Sequence, residues 1–138
     1  MQKTEELIQL FLDKNDHDKP LQWFDNNIKE YFDIDVYESN FPEDGIMTYH
    51  KDNVSLLVFR IDISDHDKEQ AIKKFLDMPN FTLHNRNISS QKKYHKDYSD
   101  FKSRLKLPEE YLNKMHDSKF FNQFYSREYI DNTLSQWK

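Results

Sequence analysis

Hydrophobic positions recur at helical spacing over most of the chain. The first such stretch runs from Thr4 to Lys14 and has an apolar face formed by Leu7, Leu10 and Phe11. Pro20 suits the first turn of a second helix because the missing N–H has no partner there anyway. A further helix is predicted after Ser64, whose hydroxyl can cap it, with Asp67 three residues on.

The last third of the chain predicts helices in close succession. One apolar row at i, i+4, i+7 and i+11 lies opposite a row of lysines and consists of Tyr94, Tyr98, Phe101 and Leu105. Pro108 begins the next helix, and Ser126 can cap the final one. An aromatic cluster between them is formed by Phe120, Phe121, Phe124 and Tyr125.

Two apolar runs, Ile46–His50 and Val54–Ile63, predict a β-hairpin because only three polar residues separate them. The second run is apolar on both faces, which predicts a central strand at about 54–63 covered by helices. Shorter extended segments are predicted at 34–37 and 81–88. We therefore expect a single domain over residues 1–138, of α/β class and helix-dominant, with a small sheet.

Composition excludes several classes of site. The 138 residues include no cysteine, which excludes disulfides, thiolate metal ligands and cysteine nucleophiles. Gly45 is the one glycine, which excludes glycine-rich phosphate loops within these residues. No apolar run approaches the roughly 18 residues of a membrane span, and the N-terminus lacks a signal-peptide pattern. We expect a cytoplasmic protein that makes no contact with a membrane.

Charge is distributed unevenly along the chain. Residues 1–69 carry 17 acidic side chains and seven Lys or Arg, a net −10, whereas residues 70–138 carry eight acidic side chains and 13 Lys or Arg, a net +5. Seven of those cations lie within 86–106 against only two acids. Such a patch could attract a phosphate or a sulfate ester, or it could simply be a solvated helix face. Nucleic-acid binding is not expected, since the acidic half would repel a phosphate backbone.

Metal and catalytic motifs are weak. The tetrapeptide Asp-His-Asp-Lys occurs at 16–19 and 65–68, but both copies lie at helix boundaries, where Asp is favoured as a cap. We predict no metal site. The histidines show no i, i+4 ligand spacing, and no catalytic residue is assigned.

Two segments combine the position and the chemistry of an anion site. Arg60 and Asp62 follow the most apolar strand, and ligands of α/β sheets bind beyond the carboxyl ends of strands. A polar segment after the next predicted strand contains Arg86, Ser89 and Lys92, whose cations and hydroxyl could hold a phosphate. We predict that these five residues bind an anionic cofactor. For the second segment, a polar loop with a helix cap is the simpler alternative.

The order of segments resembles a known family. The most specific stretch is LPEEYLNKMHDSKFFNQFYS (107–126), supported by WFDNNIKEYFDIDVY (23–37), RIDIS (60–64) and FLDM (75–78). The chain resembles the C-terminal half of bacterial sulfotransferase-like proteins that are described as capsular polysaccharide synthesis proteins. RIDIS is similar to the strand-end Arg-x-Glu-Asp-Leu of sulfotransferases, with Asp62 in place of the Glu, and Asp77 stands where their Phe-Leu-Gly has glycine.

This resemblance implies the C-terminal portion of a P-loop sulfotransferase-like fold. The implied reaction is sulfuryl transfer from 3′-phosphoadenosine 5′-phosphosulfate to a hydroxyl of a saccharide, without a metal. The loop that holds the donor's 5′-phosphosulfate would precede these residues, so we expect the chain to be incomplete or inactive alone. An upstream half-protein or a homo-oligomer could complete it. The alternatives are a non-catalytic interaction domain of the same descent and an unrelated helical binding protein.

Overall fold

The computed structural model describes residues 2–84 and 95–138 and confirms a helix-dominant chain with a small sheet. The helices are α1 (Gln2–Lys14), α2 (Glu30–Phe32), α3 (Asp65–Leu76), α4 (His95–Arg104), α5 (Glu109–Asp117), α6 (Lys119–Phe124) and α7 (Arg127–Ser135). A 3₁₀ turn (Pro20–Gln22) and a π-helical turn (Phe24–Lys29) lead into α2. The strands are β1 (Ile46–Lys51) and β2 (Val54–Phe59). None of the described helices has both the length and the apolarity to cross a membrane.

Serine caps set the starts of three helices. Ser64, Ser118 and Ser126 each accept a hydrogen bond at Oγ from the backbone N–H three residues further on, at 3.1, 3.3 and 3.1 Å respectively. The predicted caps at positions 64 and 126 are confirmed. The end of α3 is fixed by Asp77, which adopts a left-handed conformation with φ of 53°.

The predicted hairpin is also confirmed, but its second strand is shorter than expected. The strands pair antiparallel from Ile46 opposite Phe59 to Lys51 opposite Val54. Beyond Phe59 the chain turns toward the start of α3, and Ile61 is 79% exposed. The prediction of a central strand over 54–63 is therefore wrong in extent and position, since β2 has β1 as its one strand neighbour in the described part of the chain.

Helices rather than further strands explain why β2 is apolar on both faces. Leu57 faces Ala71 and Phe75 of α3 across a shallow pocket. Val58, on the opposite face, lines a second pocket together with Phe24 and Phe120. Apolar residues on both faces of a strand indicate that both faces are covered. The pattern does not show whether helices or further sheet provide the cover.

The extended segment predicted at 34–37 is a buried loop. Ile34 and Val36 are only 6% and 1% exposed, yet they belong to no strand. The carbonyl of Val36 accepts its hydrogen bond from the side-chain amide of Gln123 at 2.6 Å, in place of a strand partner. Of the segment predicted at 81–88, residues 81–84 have no regular structure and residues 85–88 lie outside the described residues.

A hydrophobic core joins α5 to α7. Its buried members are Leu112, Met115, Ile130 and Leu134. Trp137 packs against this core, and its carbonyl accepts a 2.8 Å hydrogen bond from the amide of Leu107, which fastens the end of the chain. Each helix buries a single stripe, since Leu112 and Met115 are three residues apart and Ile130 and Leu134 are four.

Gly45 ends the tight turn that precedes β1. It has φ of 80°, donates its N–H to the Pro42 carbonyl at 3.0 Å, and accepts from the Arg60 amide at 2.9 Å. A Cβ added here would lie 2.7 Å from Cγ2 of Ile63 and 3.1 Å from Nε of Arg60. Both the conformation and the available space therefore require glycine.

We predict that Gly45→Ala lowers the free energy of unfolding by roughly 1–3 kcal/mol, because alanine is strained at this φ and its methyl group displaces Ile63 or Arg60. Urea denaturation followed by circular dichroism measures the change. Asp52→Gly is the matched control, since Asp52 also has a positive φ of 54° and glycine accepts that conformation without strain. Equal effects of the two substitutions would contradict this account of Gly45.

Candidate functional site

A polar pocket lies where the turn before β1 meets the end of α6. Its cavity is about 510 Å³, and it is lined by residues 40–43, Arg60 and residues 122–126. We call it the Arg60 pocket. Its walls come from three separate parts of the sequence, so it exists only in the folded chain.

Arg60 holds these parts together through its guanidinium group. Nη1 donates to the Phe124 carbonyl and Nη2 to the Glu43 carbonyl, each at 3.2 Å. Nε lies 3.2 Å from Oδ1 of Asp62, close enough for an ion pair, although the angle is too poor for a hydrogen bond. The side chain is 21% exposed, so part of the group still faces the pocket.

The structure thus brings the sequence-predicted residues Arg60 and Asp62 together, but as partners of each other. The argument that placed them at a ligand site applies to parallel sheets, and the observed hairpin is antiparallel. The other predicted anion contacts, Arg86, Ser89 and Lys92, lie outside the described residues.

Two amide side chains form another wall of the pocket, and each is fixed by two hydrogen bonds. Asn122 donates from Nδ2 to the carbonyls of His116 and Ser118 at 2.9 and 2.8 Å. Gln123 donates from Nε2 to the carbonyls of Val36 and Ser39 at 2.6 and 2.7 Å. No described residue donates to the amide oxygen of either side chain, so both oxygens can accept hydrogen bonds from a ligand.

Aromatic residues complete the pocket. The ring of Phe41 meets that of Phe124 edge to face, with centroids 4.9 Å apart. Burial raises the pKa of Tyr125, and the nearby Tyr129 and Asp62 raise it further while Arg60 lowers it. The phenol is therefore neutral at physiological pH and can donate a hydrogen bond.

The charges of the pocket balance. Arg60 and Glu43 are the charged side chains that line it, and the Arg60 cation is also paired with Asp62. A multiply charged phosphate would meet no excess of positive charge here, so these residues do not fit the anionic donor. They do fit a ligand rich in hydroxyl groups, because such a ligand both donates and accepts hydrogen bonds.

The amide wall and Glu43 were missed at the level of sequence. The available signal was weak: Asn122 and Gln123 interrupt the aromatic cluster of α6, where apolar residues would otherwise continue. The partners of Asn122 are nearby carbonyls, whereas those of Gln123 are loop carbonyls 87 and 84 residues distant, which no local pattern indicates.

The first Asp-His-Asp-Lys tetrapeptide serves structural roles. Asp16 accepts at Oδ1 from the backbone amides of Asp18 and Lys19 at 3.0 and 3.3 Å, as expected for a cap. His17 contacts the Phe11 carbonyl through Nε2 at 2.8 Å and the Tyr111 hydroxyl through Nδ1 at 3.1 Å. Across residues 2–84 and 95–138, no three His, Asp or Glu side chains are grouped to hold a metal ion.

The comparison with known proteins agrees with the family predicted from the sequence. A family model, NKWYS, described as putative capsular polysaccharide synthesis protein, matches residues 1–126 and so includes every residue that lines the Arg60 pocket. No curated protein and no solved structure matches the chain significantly. The chain therefore belongs to the NKWYS family.

Proposed function

We propose that the chain acts in capsular polysaccharide synthesis by binding a saccharide acceptor in the Arg60 pocket. The observation that carries this proposal is the donor and acceptor set of the pocket: two fixed amides, a neutral phenol, a partly exposed guanidinium and a carboxylate around one cavity. Membership of the family supports the choice of a saccharide among hydroxyl-rich ligands.

Fixed polar groups favour a polyhydroxyl ligand for an entropic reason. Asn122 and Gln123 are already immobilised by their bonds to backbone carbonyls, so binding does not cost their side-chain freedom. Their oxygens accept from sugar hydroxyls, whereas Tyr125 and Arg60 donate to sugar oxygens. The carboxylate of Glu43, an exposed residue, can accept two further hydrogen bonds.

We further propose sulfuryl transfer from 3′-phosphoadenosine 5′-phosphosulfate as the reaction. A hydroxyl oxygen of the bound saccharide would form the new bond to sulfur and pass its proton to a general base, which we assign to the segment that completes the donor site, while the bond from sulfur to the phosphate oxygen breaks and releases adenosine 3′,5′-bisphosphate. Because the Arg60 pocket does not fit the anionic donor, we assign the donor contacts to Arg86, Ser89 and Lys92, on their position and charge alone.

A complete donor site would need a second polypeptide segment. Loops that cradle phosphates use glycines at fixed spacing, and these 138 residues contain one glycine. We propose that an upstream half-protein carrying such a loop completes the C-terminal portion of a P-loop sulfotransferase-like fold; a second copy of these residues, with the same single glycine, could not supply it. The chain alone would then bind substrates without turning them over.

The saccharide proposal predicts that Glu43→Ala weakens binding of capsular saccharide fragments by about tenfold, the equivalent of one hydrogen bond to a charged group at about 1.5 kcal/mol. Isothermal titration calorimetry with size-fractionated fragments measures the affinity. Fold stability should not change, because Glu43 is exposed and Arg60 binds its backbone carbonyl rather than its side chain.

Glu38→Ala is the matched control, since Glu38 is also an exposed glutamate but does not line the pocket. It should leave the affinity unchanged. Absence of heat with every fragment, or an equal loss in both variants, would refute a saccharide site in this pocket.

The donor proposal predicts that adenosine 3′,5′-bisphosphate binds with micromolar affinity at low salt. Arg86→Ala or Lys92→Ala should weaken it about tenfold or more, because each removes a charge-assisted hydrogen bond to phosphate. Lys138→Ala removes the same charge at the end of the chain and should cause little change. If wild-type protein shows no heat with millimolar ligand, these residues do not bind the donor.

A further inference from the structure

An aromatic surface extends from the Arg60 pocket toward Trp23. Ring centroids follow one another at 4.9 Å from Phe41 to Phe124, 5.2 Å from Phe124 to Phe24 and 5.3 Å from Phe24 to Trp23. Phe124 is buried, whereas Trp23 is 46% exposed at the far end of the series. The rings form a continuous floor whose last member reaches solvent.

Three cavities lie along this floor and share lining residues. The Arg60 pocket shares Arg60, Phe124 and Tyr125 with a narrower cavity of about 200 Å³. That cavity in turn shares Phe24 and Phe120 with a third one of about 470 Å³. The two outer cavities have the volume of ordinary ligand sites, about 300–1,000 Å³, and the middle one shares lining residues with each of them.

The third cavity, which we call the Trp23 pocket, is largely aromatic with charges at one side. It is lined by Trp23, Phe24, Phe120 and Pro20, together with Asp16 and Lys19. Trp23 meets Phe24 edge to face at 86°, and no described ring stacks on it. A flat ligand can therefore lie against the indole while its polar edge reaches the two charged residues.

We propose that the Trp23 pocket is a second saccharide subsite, and that the chain binds a polymeric saccharide along the run from the Arg60 pocket to Trp23. This inference rests on the proposed function of the Arg60 pocket. Sugar rings carry C–H groups on one face, and the electron-rich face of an indole attracts such groups. The polar pocket selects one sugar through hydrogen bonds, and the aromatic subsite holds a later sugar of the same chain by its apolar face.

A polymer is a better occupant than a separate apolar partner because the run begins in a pocket built from amides and charges. An apolar helix laid along it would bury the Arg60–Asp62 pair and the amide oxygens of Asn122 and Gln123 without hydrogen bonds. A saccharide chain supplies hydroxyls at that end and C–H faces at the other. Its chemistry therefore matches the gradient from polar to aromatic lining.

The test compares affinity for short and long ligands. The probes are a disaccharide and an octasaccharide, both prepared by partial acid hydrolysis of the capsular polysaccharide of the source organism. We expect the octasaccharide to bind wild-type protein about tenfold more tightly, since it alone reaches both subsites. Trp23→Ala should remove this difference and leave disaccharide affinity unchanged.

Tyr31→Ala is the matched control, because Tyr31 is a 73% exposed aromatic residue that lines none of the three cavities. It should retain the full dependence on ligand length. Trp23→Phe keeps an aromatic face and should retain part of the dependence on ligand length. This intermediate result would distinguish the loss of an aromatic contact from a folding defect in Trp23→Ala. Circular dichroism melting of each variant verifies the fold.

Fluorescence provides an independent readout of the same subsite. The octasaccharide should shift the emission of Trp23 and protect it from quenching by acrylamide in a Trp137→Phe background, whereas the disaccharide should do neither. Equal affinities of wild-type protein for the two ligands would overturn the second subsite and leave the Arg60 pocket standing. If neither ligand binds, the proposed function itself fails.

Discussion

The fold depends on the guanidinium group of Arg60. Arg60 directly follows β2, and its guanidinium group donates to the carbonyls of Glu43 and Phe124. This one side chain therefore joins the hairpin to the turn before it and to the end of α6. A planar group with several donors in fixed positions can bind two backbone carbonyls at once. The nearby Asp62 balances the charge, which lowers the cost of holding a cation in a half-buried position.

The position of Arg60 restricts its neighbours. Gly45 must lack a side chain because a Cβ there would meet Ile63 and the guanidinium. Phe124 lies buried at the end of α6, and its backbone carbonyl is one of the two acceptors. The aromatic rings around Phe124 then form the floor of the pocket, so the contacts that stabilise this region also shape the surface on which we place a ligand.

The hydrogen-bond arrangement also determines which ligands the pocket can take. Asn122 and Gln123 use their N–H donors on backbone carbonyls, and the Arg60 charge is paired. What remains for a ligand is a set of acceptors, a neutral phenol and an aromatic wall, with no excess of positive charge. Such a set suits sugar hydroxyls better than phosphate, which is why we separate the acceptor site from the donor contacts. The family assignment agrees with a saccharide ligand. The exposed Trp23 offers an aromatic face on which we place a later sugar of the same ligand.

The sequence by itself determined the local elements, namely the caps at Ser64 and Ser126 and the hairpin with its turn, and also the family. These follow from interactions between near neighbours or from a periodic pattern, and both can be identified from the order of the residues. Only the tertiary structure decided what covers β2, how the loop at 34–37 is held and which residues line the pocket. Those features depend on contacts such as Gln123 with Val36 and Arg60 with Phe124, which lie far apart in sequence and leave no local pattern. A basic residue after a strand predicted an anion site, but what Arg60 can offer a ligand depends on partners distant in sequence, because hydrogen bonds formed on folding decide which donors remain.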